Sequence, residues 1–140
     1  MRVLLDTDVV LDFLLEREPF DEAASKLFEL IAQGACDGYI SAITPTNVFY
    51  LARKDKGAAP TKQAIGSLLA ALRVCPVNQS VLEQALILPF SDFEDAVQHA
   101  SATASRLDAI VTRNLDDYKH ATLPVFSPTD FLNHLKAQTS

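Results

Sequence analysis

Three short stretches hold most of the side chains whose types and spacing could do chemistry. RVLLDTDVVLD, Arg2 to Asp12, sets Asp6, Asp8 and Asp12 in an otherwise almost wholly apolar run. SDFED, Ser91 to Asp95, carries Asp92, Glu94 and Asp95, and TRNLDDY, Thr112 to Tyr118, carries Asn114, Asp116 and Asp117. Carboxylate and amide oxygens gathered at one point are the ligand set of a hard divalent cation such as Mg²⁺ or Mn²⁺. Capping competes with that chemistry at several of these positions. Thr7 and Asp8 are placed to cap a helix whose apolar pattern starts at Val9. Ser91 and Glu94 have the spacing of a capping box, and first-turn acids complement a helix dipole, which also covers Asp92 and Asp95. Capping explains Asp6 least, because it directly follows Val3-Leu4-Leu5, where a buried strand should end. Asp95 comes next: it shares a helix face with Asp92 and leads into Ala96, Val97, Ala100 and Ala104, small residues that can pack close to a sheet. Asp12 is open between a solvated and a supporting role.

The remaining polar residues are read more simply. TRNLDDY is also an ordinary polar turn after a strand. Arg113 and Lys119 are placed to meet phosphate there, and a solvated surface explains them equally. RKDKGAAPTK, Arg53 to Lys62, reads as a charged exposed turn between helices. His99, four residues after Asp95, reads as a hydrogen-bonded structural histidine rather than an acid or base, and His120 and His134 give no spacing signal. No glycine-rich phosphate loop and no Ser-His-Asp or Cys-His constellation can be argued.

The elements that must position these groups alternate. Arg2–Leu5, Gly38–Ala42, Arg73–Val77, Asp108–Arg113 and Pro124–Phe126 read as short strands or extended pieces. Helices are expected from about Val9 to Glu16 and from Pro19 to Gly34. Others should start at Thr44-Pro45, run through Ile65, Leu68, Leu69 and Leu72, and span Ser80–Leu88 and Ser91–Leu107. A last one follows the Ser127-Pro128-Thr129-Asp130 cap. Strands alternating with helices predict a three-layer α/β/α sandwich around a central, mostly parallel sheet of four to five strands. In such a sheet the ligand crevice lies beyond the carboxyl ends of the strands. Asp6 and the Asn114–Asp117 group should therefore meet on one edge.

Bulk properties set bounds. The chain of 140 residues, 49% hydrophobic with four glycines, reads as one domain over 1–140. No apolar run is long enough to span a bilayer, and no export signal is evident, so no membrane partner is expected. Cys36 and Cys75 stand alone, which fits a reducing cytoplasm. A formal net charge of −6 disfavours broad nucleic-acid binding by a basic surface. It leaves open an acidic site that recruits phosphate through a bound cation.

LLDTDVVLD, YISAITPTNVFYLARK, DFEDAVQHASA and DAIVTRNLDDY followed by PVFSPTDFL, in this order over nearly the whole chain, resemble the PIN domain. This is the nuclease domain of VapC-type toxins of type II toxin–antitoxin systems and of several RNA-processing enzymes. The resemblance implies the α/β/α fold and Mg²⁺- or Mn²⁺-dependent hydrolysis of single-stranded RNA, leaving a 5′-phosphate and a 3′-hydroxyl. It also implies an antitoxin partner and a homodimer. By position it makes Asp6, Asp95 and Asp117 the catalytic, metal-holding acids. Asn114 and Asp92 are further ligands, and Thr7, Asp8, Thr112, Arg113 and Asp116 lie nearby. The family usually has a glutamate where this chain has Asn47, an amide that can ligate a metal but brings no charge. A domain that has lost catalysis and only binds RNA or protein is the corresponding alternative. LLDTDVV also resembles the opening of haloacid-dehalogenase-type phosphatases, where the first aspartate is a nucleophile, although Val9 stands where those proteins usually have glycine.

Overall fold

The computed structural model describes residues 1–139. Among them five strands form one wholly parallel sheet: β1 Arg2–Leu5, β2 Asp37–Ser41, β3 Arg73–Cys75, β4 Ala109–Val111 and β5 Val125–Phe126, in the spatial order β3-β2-β1-β4-β5. Seven α-helices cover it: α1 Thr7–Leu14, α2 Asp21–Ala32, α3 Thr44–Lys56, α4 Ala58–Ala71, α5 Gln79–Ile87, α6 Phe93–Ala104 and α7 Pro128–Thr139. The expected α/β/α arrangement is thus the observed one.

Burial on both faces explains why the central strands β1 and β4 read as apolar runs. Val3, Leu5, Ile40, Ala109 and Val111 join one core with α1, α2 and Phe131 of α7, while Leu4, Tyr39 and Ile110 point to the other, with Ala102 of α6. Helix α5 packs on α6 through Val81, Ala85, Ala96, Val97 and Ala100. Strand β1 is central, with Leu4 opposite Tyr39 on one side and Ile110 on the other. A Cβ on Gly38 would come within 2.7 Å of Ile31 and Leu72 side-chain atoms, so the glycine lets helix and strand approach closely.

One segment departs from expectation. Arg53–Lys62 is no loop: α3 runs through Lys56 and α4 starts at Ala58, with Gly57 alone between them at φ 87°. Charge, glycine and proline together read as a turn, yet each suits a helix boundary. Basic residues in the last turn of α3 complement the helix dipole. Pro60 lies in the first turn of α4, where an amide proton has no intrahelical acceptor. The Thr61 hydroxyl closes the junction by donating to the Gly57 carbonyl at 2.7 Å. Other boundaries move by a few residues, and α1 starts directly after Asp6 rather than at Val9.

Candidate functional site

Strand β1 delivers Asp6 to the carboxyl edge of the sheet, where its backbone amide still donates to the Val111 carbonyl at 3.0 Å. The side chain is 4% exposed and held from two sides. Gln98 Nε2 of α6 donates to Oδ1 at 2.8 Å, and the Thr112 hydroxyl, just past β4, donates to Oδ2 at 2.7 Å. Gln98 Oε1 accepts the Thr7 amide at 3.2 Å, so one buried amide ties α6 to the start of α1. Burial raises the Asp6 pKa above the ordinary carboxylate value, against the lowering effect of the Thr112 and Gln98 hydrogen bonds.

Asp95 enters from the first turn of α6. Asp92 is the N-cap of that helix, its Oδ1 accepting the Asp95 amide at 3.1 Å. The expected Ser91–Glu94 capping box is therefore not what starts α6. Relieved of capping, Glu94 faces Thr7 and Asn47, which favour its charged form, while burial, followed by Asp6 and Asp92, raises its pKa. Asp95 is pushed up to about 8, first by burial and then by Asp6, Asp92, Asp117 and Glu94 in that order. The buried Tyr118 hydroxyl donates to Asp95 Oδ1 at 3.4 Å.

The remaining expected residues divide into two groups. Asp8 does not cap α1; the N-cap is Asp6, with no side-chain cap bond. Asp8 Oδ2 instead accepts the Arg113 amide at 3.2 Å and the Thr112 hydroxyl at 3.4 Å, while Oδ1 is buried without a hydrogen-bond partner. Burial, then Asp6, raises Asp8 to about 7, with Arg113 opposing. Asp12 is 1% exposed and grips Arg113 with both oxygens, at 2.8 and 3.1 Å. The Arg113 guanidinium lies 4.1 Å from the Phe20 ring centroid. Arg113 is thus a brace rather than a loose phosphate contact. Asn114, Asp116 and Asp117 are exposed and, with Arg113 and Leu115, line an open cleft of about 430 Å³. Asn47 sits half-buried on α3, and Thr44 meets the Thr7 hydroxyl at 3.4 Å.

The sequence did not single out Gln98, Tyr118 or Glu94 for the site. A usable signal existed for Gln98, a polar residue three positions after Asp95 on a helix of small apolar residues. Glu94 was masked by its capping-box spacing. His99 behaves as read: 2% exposed, it accepts the Thr122 amide on Nε2 at 3.0 Å and packs on Phe90.

In kind, these residues fit a divalent cation. The donors are hard oxygens, the negative charge around Asp95 is uncompensated, and Asp12 engages the neighbouring guanidinium. Among the described residues no three Asp, Glu, His or Cys side chains stand close enough to share one ion. A pair such as Asp6 and Asp95 still suits Mg²⁺, which keeps several waters and binds through one or two carboxylates and substrate phosphates.

Comparison with known proteins agrees with this layout. The structure resembles the VapBC2 complex of Rickettsia felis, bound to a DNA fragment from its promoter, at TM-score 0.72 and 16% identity, covering 91% of this chain and 98% of that one. It resembles a toxin–antitoxin complex from Klebsiella pneumoniae at TM-score 0.68 and 25% identity, covering 90% and 97%. It also resembles VapC20 of Mycobacterium tuberculosis, a sarcin–ricin loop cleaving toxin, at TM-score 0.62 and 16% identity, covering 77% and 86%. A search of curated proteins found no significant match. The sequence profile of the PIN domain spans residues 2–116, from β1 into the TRNLDD turn, and so includes Asp6, Asp8, Asp12, Asp92, Glu94, Asp95 and Asp116, with Asp117 the next residue after its end: the chain belongs to the PIN domain family.

Proposed function

We propose that this chain is a Mg²⁺- or Mn²⁺-dependent endoribonuclease that hydrolyses phosphodiester bonds of single-stranded RNA. In this reading it is the toxin of a type II toxin–antitoxin pair, a cytoplasmic homodimer restrained by an antitoxin. The observation that carries the reading is Asp95, buried beside Asp6, Asp92, Asp117 and Glu94 and pushed up to about 8. A divalent cation would relieve that repulsion. PIN membership and the VapC20 likeness support RNA cleavage, and the VapBC2 and Klebsiella complexes support an antitoxin.

Asp6 and Asp95 would hold the ion, with Asp117, Asp92 and the Asn114 amide completing its surroundings through water. When bound, such an ion would lower the pKa of a coordinated water and offset phosphate charge. Gln98 and Thr112 fix both Asp6 oxygens, so the carboxylate cannot rotate away, and each oxygen keeps a lone pair to offer. Tyr118, 2% exposed, donates to one Asp95 oxygen at 3.4 Å. Glu94 beside Asn47 brings a negative charge to the position where the family's usual glutamate is missing.

Replacing Asp6 with Asn should abolish Mn²⁺-dependent cleavage of a single-stranded RNA while the thermal transition and far-ultraviolet spectrum persist. Wild-type turnover in that variant would refute the reading. The neutral Asn47 supports a second reading, a domain that binds without cutting. Calorimetric titration of Mn²⁺ separates the two, because a dead site shows no binding heat. The phosphatase reading fits poorly: Val9 stands where those proteins usually have glycine, and the family profile over residues 2–116 is that of the PIN domain.

A further inference from the structure

The net charge of −6 conceals a basic segment. Arg53, Lys54, Lys56 and Lys62 fall within ten positions, opposed only by Asp55, and all four are exposed. Among the described residues, the ion pairs lie elsewhere, at Asp12 with Arg17 and Arg113 and between Lys26 and Glu29. Beside these cations α3 exposes aromatic surface, with Tyr50 54% exposed. Phe49 and Tyr50 meet edge to face at 5.1 Å. The Arg53 guanidinium lies 4.8 Å from the Tyr50 centroid and 5.8 Å from that of Phe49, and the Lys62 ammonium reaches over Phe49 at 6.0 Å.

This group is tied to the carboxylate site by α3 itself. The helix starts at the site, with Thr44 against Thr7 and Asn47 against Glu94. Tyr50 is three residues beyond Asn47 and so on a neighbouring line of the same helix face. Arg53 is one further turn along, about 9 Å from Asn47 along the axis. Alternating flat aromatic faces and mobile cations match the alternating bases and phosphates of a single strand. An acidic protein also needs a local positive foothold if a polyanion is to approach its carboxylates.

We propose that Phe49, Tyr50, Arg53 and Lys62 form a binding platform for single-stranded RNA leading into the carboxylate site. A base stacks on Tyr50, and Arg53 and Lys62 meet the flanking phosphates. The identity of the polymer rests on the nuclease reading above; the surface itself does not. The chain has no tryptophan and three tyrosines, of which Tyr39 and Tyr118 are 6% and 2% exposed, so tyrosine emission reports contact at Tyr50.

The test titrates an oligouridylate of about twelve nucleotides, a length sufficient for several stacked bases, into the protein in EDTA. Quenching of tyrosine emission is expected. Tyr50→Ala should lose the quenching and weaken affinity about tenfold, the size expected for one stacked base. Arg53→Ala should weaken affinity and reduce the log–log salt slope by about 0.7. Both variants should keep the wild-type thermal transition and the wild-type calorimetric binding of Mn²⁺. Unchanged affinity and slope in both would overturn the platform, even if the wild type cleaves RNA. Tyr50→Ala that dissociates a dimer in sedimentation yet leaves affinity unchanged would also overturn it, assigning this face to contact between copies. Binding through Tyr50 without cleavage in Mn²⁺ would support the platform and refute the nuclease reading instead.

Discussion

Removing either partner of the Asp12–Arg113 pair should give unequal losses, and the inequality follows from burial. The Asp12 side chain is 2% exposed and that of Arg113 28%. In Asp12→Ala the guanidinium loses two charge-assisted hydrogen bonds, yet it remains on Phe20 with a route to water. The cost should be about 2 kcal/mol, one such bond's worth rather than two. In Arg113→Ala the buried carboxylate keeps only Arg17, with its Nη1 at 4.0 Å. That is a buried charge stripped of its main partner, a situation costing about 3–5 kcal/mol. With a urea slope of roughly 1.5 kcal/mol/M, the midpoint should fall by roughly 1 M in the first variant and 2–3 M in the second. The double variant removes the stranded carboxylate, so it should be more stable than Arg113→Ala alone. Equal costs for the two single variants, or simple additivity in the double, would refute the claim that this pair is a buried brace.

Further outcomes follow from the same edge of the sheet. Gln98→Leu leaves the Thr7 amide and Asp6 Oδ1 without their partner and should cost about 1–3 kcal/mol in urea unfolding; a cost near zero would show that the amide does not hold the site together. Metal-free stability should depend on pH through Asp95, whose value rises from 3.8 to about 8 on folding. Between those values the folded state holds a proton that the unfolded chain has released. Stability is therefore greatest below about pH 4 as far as this group is concerned, and it is lost as pH rises through 8. Thermal scans in EDTA should show this fall, Asp95→Asn should flatten it, and an unchanged slope in that variant would reject the assignment.

The fold was legible because the central strands β1 and β4, buried on both faces, announce themselves as short apolar runs, and β1, β2, β3 and β5 are each followed by an α-helix. Val3-Leu4-Leu5 before Asp6 needed no structure to be read as a strand presenting a carboxylate. What sequence could not rank was competition between local and distant partners. Ser91 and Glu94 have the spacing of a cap, yet Asp92 caps α6, and Glu94 turns to Thr7 and Asn47. Asp8 had the position of a cap, yet its oxygen goes to Arg113, over a hundred positions along the chain. At α6 the Asp92 side chain satisfies the helix start, while at α1 Asp6 makes no side-chain cap bond and the Thr7 amide goes to Gln98; in both cases the acid at the expected capping position is left to a distant partner. Gln98 and Tyr118 were missed for a related reason. Their work is to hold Asp6 and Asp95, and such support is visible only once the strands and helices have brought the carboxylates together. Arg53–Lys62 was misread in the opposite direction, because charge, glycine and proline suit a helix boundary as well as a loop. That helical pair keeps Arg53 and Lys62 on rigid backbone beside Phe49 and Tyr50, in line with the carboxylates at the head of α3. A loop with the same residues would fix none of those distances.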